Sequence, residues 1–176
     1  MSHFVMGVLV PKYIAIDDDG AFAENWIQSY VAEILAPYNE ADDEYCVAEE
    51  QNEDADDPDD KYRYNPNGKW DWWVVGGRWD GYLQKSVSNH DGYSPERETI
   101  GGNIIPVSEH IRDVMLDFNR FKCFGLVSED GWVETGAMGW FGMVSNRAAD
   151  DPLFLRYVTV LNNYSDGYIV AIDCHV

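Results

Sequence analysis

Basic side chains are scarce: 12 Lys and Arg stand against 32 Asp and Glu, a formal net charge of −20 over 176 residues. That shortage excludes a basic groove for phosphate backbones, because self-repulsion opposes nucleic acid instead of steering it in. Cysteine is rare as well. Three residues, an odd number with no Cys-x-x-Cys pair, point to reduced thiols and not to a disulfide framework. No apolar run approaches the roughly 20 residues a membrane helix needs. Met1-Ser2-His3-Phe4-Val5 lacks the basic start and small-residue cleavage site of a secretory leader. Gly-x-Ser-x-Gly and His-Glu-x-x-His are missing, and Gly76-Gly77 is too short for a phosphate loop or dinucleotide fingerprint, so no cofactor is expected. A calcium loop fails on spacing. Counted from Asp54, the required sixth-position glycine is Asp59 and the required twelfth-position glutamate is Asn65, so no metal is expected.

What is present suffices for a core. Apolar residues make up 45% of the chain and aromatics 14%, which excludes wholesale disorder, and the length suits one domain spanning 1–176. The acidity is local. Residues 39–60 hold 12 of the 32 acids and no Lys or Arg, so the remainder carries 20 acids against 12 bases, a net of −8. Like-charge blocks of this kind repel themselves and bury little, and residues 39–62 are expected to form an acidic loop insertion.

His3–Val10 is a nearly continuous apolar run closed by Pro11, read as a buried first strand. Phe22, Trp26, Ile27, Tyr30, Val31, Ile34 and Leu35 then recur at helical spacing up to Pro37. Trp26 is expected inside, flanked by Phe22 and Tyr30. Lys69–Val75 reads as a strand, with Trp79–Ser86 returning after Gly76-Gly77 and a loop over His90–Asn103. A second helix is predicted over Val107–Asn119, burying Val107, Ile111, Val114, Met115 and Phe118 and turning Asp113 outward. His110 is expected on its flank. Cys123–Val127 and Trp132–Thr135 around Asp130-Gly131 read as a hairpin. A third helix opens at Asp151-Pro152, and Tyr168–Cys174 is a β-branched last strand. The order predicts one α+β domain, a mostly antiparallel sheet with about three packed helices.

Separated segments then carry a resemblance. Met1-Ser2-His3-Phe4, Leu35-Ala36-Pro37-Tyr38-Asn39-Glu40, Tyr64 to Trp72 (YNPNGKWDW) with Gly76-Gly77-Arg78-Trp79, Met138 to Val144 (MGWFGMV) and Asp173-Cys174-His175 occur in this order. The set resembles a family of bacteriophage and prophage proteins. The resemblance implies a phage gene product working in a host bacterial cytoplasm, and it brings no catalytic residue with it.

Three groups of residues invite a functional reading. Trp70, Trp72, Gly76, Gly77, Arg78 and Trp79 suit a nucleotide-like ligand, with rings stacked on tryptophan and phosphate on Arg78 and the glycine amides. Core filling by the tryptophans, with Gly-Gly as a bulge, accounts for the same residues. In a regular strand Trp70, Trp72 and Val74 share one face. His3 and His175 come close if the first and last strands pair antiparallel. With Cys174, Asp173 or Ser2 nearby they suit a metal site or an acid–base pair, although Cys174 and His175 cannot both aim at one ion from a regular strand. Two unrelated terminal histidines are the plainer alternative. Asp54, Asp56, Asp57, Asp59 and Asp60 form an acidic arm able to occupy a basic surface on a partner. The resulting expectation is a phage accessory protein that antagonises a bacterial defence system by binding, with acidic mimicry of nucleic acid. The alternative is a sponge or small enzyme for a nucleotide signal. Neither reading involves direct nucleic-acid binding or a membrane.

Overall fold

The computed structural model describes residues 3–51, 61–83, 100–134 and 152–176. At its centre lie two eight-residue strands, β1 (His3–Val10) and β8 (Tyr168–His175), buried along almost their whole length. Continuous apolar runs suit such positions, since both faces of a central strand are covered. They pair antiparallel from His3↔His175 to Val10↔Tyr168. Outside β8 run β4 (Trp72–Val75) and β5 (Ile104–Pro106), end to end along one edge and both antiparallel to it. Outside β1 lies β6 (Gly125–Ser128), the parallel neighbour, followed by β7 (Gly131–Glu134) in a hairpin. The six strands form a mixed, mostly antiparallel sheet in the order β4-β8-β1-β6-β7, with β5 also on β8.

Alternation along β1 and β8 divides the core in two. Phe4, Met6, Val8, Val10, Val170, Ile172 and Cys174 face helix α2 (Glu24–Leu35), while Val5, Leu9, Ile169 and Ala171 face α4 (Val107–Leu116) and α6 (Pro152–Asn163). The architecture is a single α+β domain with helices on both faces of the sheet. Shorter helical turns are α1 (Lys12–Ala15), α3 (Ile100–Asn103) and α5 (Phe118–Phe121).

Several expectations need correction. Trp26 is 54% exposed and Phe22 lies outside the helix. The buried stripe of α2 is Ile27, Val31 and Leu35, a strict i, i+4, i+8 series, and Trp26 falls one residue off it. Met115 is 63% exposed, whereas Asp113 and His110 are buried, so α4 is rotated from the expected face. Residues 77–83 form a 3-10 turn, Gly77–Trp79, and further turns where a returning strand was expected. The acidic stretch contributes a two-stranded hairpin of its own, β2 (Ala48–Gln51) with β3 (Lys61–Tyr64), in which Glu49 faces Arg63. Asp54, Asp56, Asp57, Asp59, Asp60, His90 and the Met138–Val144 segment lie outside the described residues.

Candidate functional site: a pair of histidine–aspartate dyads

The antiparallel register sets His3 of β1 directly across from His175 of β8, and Trp72 of β4 directly across from His175 on its other side. Residues opposite one another in an antiparallel ladder point to the same face, so three strands deliver three rings to one place. The imidazole centroids are 5.0 Å apart at 74°. The indole of Trp72 stacks on His175 at 5.1 Å and 13°, and meets the edge of His3 at 5.5 Å.

Each imidazole is tied to its own carboxylate. His3 Nδ1 lies 3.0 Å from Asp173 Oδ1, and His175 Nδ1 lies 2.6 Å from Asp71 Oδ1. An ionised carboxylate only accepts hydrogen bonds, so both Nδ1 atoms carry hydrogen and both Nε2 atoms of the neutral rings keep a lone pair. The two carboxylates sit in different surroundings. Asp71 is 47% exposed, whereas Asp173 has no exposed surface and its second oxygen accepts the Arg78 amide N–H at 2.9 Å.

The Tyr64–Trp79 stretch explains how these groups are held. Asn65 donates through Nδ2 to the carbonyls of Pro37 and Asn39, both at 2.9 Å, and accepts from the Asn67 amide, which pins the turn. Trp70 then plugs into the α2 side of the core against Tyr38 and Trp132 at 5.7 and 5.8 Å. Asp71 follows with its amide on the His175 carbonyl and its carboxylate on the His175 ring. Beyond β4, Gly76 (φ 74°) and Gly77 (φ 53°) turn the chain over Asp173. A Cβ on Gly77 would stand 2.5 Å from Asp173 Oδ2, so only glycine lets the Arg78 amide reach that carboxylate.

The expected ligand-binding set therefore divides. Trp70 is fully buried and does not share a face with Trp72, because strand pairing begins only at Trp72 and the alternation breaks at Asp71. The amides of Gly76 and Arg78 are taken by the Ala171 carbonyl and Asp173, which removes them from any phosphate cradle. Trp79 packs toward the α4–α6 side, 5.6 Å from Tyr82. Trp72, 40% exposed, and Arg78, exposed and without an ion pair among the described residues, remain at the surface. Asp71 and Asp80 are not its partners; they engage His175 and Asn103.

Of the two orienting carboxylates, Asp173 is within reach of the histidine pair already in the sequence, whereas Asp71 is not legible there as a site residue. In Asp173-Cys174-His175 the first and third residues share a face, which puts one acid on the imidazole face at that strand end. Cys174 points to the opposite, α2-facing side, and burial pushes its thiol well above the usual range. Among the described residues no group of three or more His, Cys, Asp or Glu side chains is gathered to hold a metal ion. A cavity of about 640 Å³ opens at the far end of β1, lined by Lys12, Tyr13, Glu129, Asp130 and Asp166 among others, and it shares no residue with the dyads. No helix among the described residues is long and apolar enough to cross a membrane. No family model matches the chain, and comparison with curated proteins and with solved structures returns no match.

Proposed function

We propose that the chain is a small enzyme that cleaves a phosphoester or phosphoanhydride bond in a nucleotide-sized ligand by general acid–base catalysis at His3 and His175. The observation that carries this reading is the pair of imidazoles 5.0 Å apart, each with Nδ1 committed to a carboxylate. One neutral Nε2 takes the proton of an attacking hydroxyl or water as the new P–O bond forms. The other, protonated, gives its proton to the departing oxygen as the old P–O bond breaks. Exposed Trp72 offers an aromatic face for a base beside the pair, and Arg78 offers a cation for phosphate. A net charge of −20 favours a small signal molecule over a polynucleotide.

Incubation with a panel of linear and cyclic mono- and dinucleotides, read by chromatography and mass, tests the proposal. The expected result is turnover with a bell-shaped pH profile, lost by about 100-fold or more in His3→Ala and in His175→Ala. Nucleotide recovered intact from the denatured protein would replace the enzyme by a sponge. Neither binding nor turnover of any nucleotide would end both readings.

A second reading is an accessory protein that blocks a host defence component by binding. It is supported by the β2–β3 hairpin, whose strands pair with each other and leave Glu49 and Glu50 exposed at the base of the acidic segment. The resemblance to phage proteins agrees with either reading, since a phage gains by destroying a defence signal or by occupying its receptor. The binding version stands on electrostatics, and the salt dependence of partner capture tests it.

A further inference from the structure

We propose that the Gly76–Gly77–Arg78 turn is a positioning device for His3, acting through Asp173, so that one residue both presents a cation to the ligand and fixes the imidazole. This rests on the acid–base reading for its effect on rate, but not for its structural content. The connection is short and fully placed. The Arg78 amide N–H donates to Asp173 Oδ2 at 2.9 Å, and Asp173 Oδ1 accepts from His3 Nδ1 at 3.0 Å. Asp173 has no exposed surface, so no water replaces either partner freely, and a carboxylate held at both oxygens has little freedom to rotate. His175 has no such support, since its Asp71 is about half exposed. Gly77 is the component that makes the contact possible: its φ of 53° is one that L side chains rarely adopt, and a Cβ would strike Asp173 Oδ2 and Cβ. Arg78 is thereby split in function, its amide directed inward to Asp173 and its guanidinium outward to solvent. Asp173 is a positioning residue, holding His3 in the tautomer whose Nε2 is unprotonated.

The test is nitrogen-detected NMR of the imidazole rings on the whole chain, with Arg78→Ala and Arg78→Pro compared. Both lack the guanidinium, but only the proline variant lacks the amide hydrogen. His3 in the parent protein and in Arg78→Ala is expected as the Nδ1–H tautomer. In Arg78→Pro, and equally in Gly77→Ala, that tautomer is expected to give way to the mixture of an unconstrained imidazole, with His110 unchanged as a reporter of fold. Should those variants not fold, the parent protein alone decides the matter: the Arg78 amide proton shift must move with the same pH midpoint as the His3 ring. An Arg78 amide indifferent to His3, or a folded Arg78→Pro that keeps the Nδ1–H tautomer, would overturn the proposal. With a nucleotide that is turned over, Asp173→Asn is expected to lower kcat by about 100-fold or more with KM little changed and the pH profile displaced. Coupling seen by NMR without turnover of any nucleotide would leave this device standing and remove the enzyme. Turnover without the coupling would do the reverse.

Discussion

Of two tryptophans, one leaves the place that periodicity assigns it and the other takes the core-filling alternative, and both placements have a measurable consequence. Trp26 has the spacing of a core residue, yet it is 54% exposed, because Ile27, Val31 and Leu35 complete the buried stripe without it. Trp70 sits in a turn-rich stretch that invites a surface role, yet it is fully buried among Tyr38, Trp132 and the α2-facing core. Trp70→Ala is therefore expected to cost about 3–5 kcal/mol, the range for deleting a buried large aromatic, whereas Trp26→Ala should cost under about 1 kcal/mol. Urea unfolding of the two variants against the parent protein decides it, and equal losses would contradict the assigned burial. The same positions show what was legible in the candidate site. His3 and His175 were visible as terminal residues of strands that could pair. Asp173 was visible beside them, but Asp71 was not, because it reaches the site only through a break in strand alternation that no local pattern announces. Arg78 reads in the sequence as a side-chain anchor for phosphate, while its amide is what meets Asp173, and sequence gives side-chain chemistry far more readily than backbone contacts.

At the scale of elements, β1, β8, α2, α4, α6 and the β6–β7 hairpin all lie close to where periodicity and capping place them, because each carries a strong repeating pattern. Rotation about an axis is harder to read. On α4 the expected inward residue Met115 faces out and the expected flank residue His110 is buried, with Nε2 3.2 Å from the Tyr157 hydroxyl. That hydroxyl also accepts the Cys123 amide at 3.1 Å, so α4, α6 and the approach to β6 meet at one buried polar point. Burial lowers the His110 pKa from 6.5 to about 4, with neighbouring Asp113 opposing the shift. The folded chain thus binds fewer protons than the unfolded chain between those values, and stability falls as pH drops through that window. The loss should reach about 3 kcal/mol by pH 4, and little of it should appear above pH 7. His110→Gln is expected to flatten this part of the profile. Denaturant titrations at pH 7 and pH 4.5 would expose an error if parent and variant lost the same stability.

For the molecule as a whole, charge and core are carried by different parts of the chain. Both halves of the core hang on β1 and β8, so the body should unfold in one calorimetric transition. The acidic segment is attached to that body through a hairpin whose strands have each other as sheet partners. Gln51 and Lys61 stand directly opposite in it, the geometry that a two-residue Asn-Gly turn closes. Replacing residues 52–60 by that turn removes six carboxylates, Glu53, Asp54, Asp56, Asp57, Asp59 and Asp60, and takes the net charge from −20 to −14. The shortened chain should fold with an unchanged or higher Tm, since self-repulsion falls and none of the core residues is touched. Nucleotide turnover should be retained, because His3, His175, Asp71 and Asp173 all lie in the body. If the segment is the arm of an inhibitor, affinity capture of a basic nucleic-acid-binding protein from host lysate should fail with the shortened chain. With the parent chain, capture should weaken between 0.1 and 0.5 M salt, where the Debye length shrinks from about 10 Å toward about 4 Å. Capture that survives both the deletion and the salt would remove the electrostatic arm as the binding element and leave the function of the molecule to its histidine site.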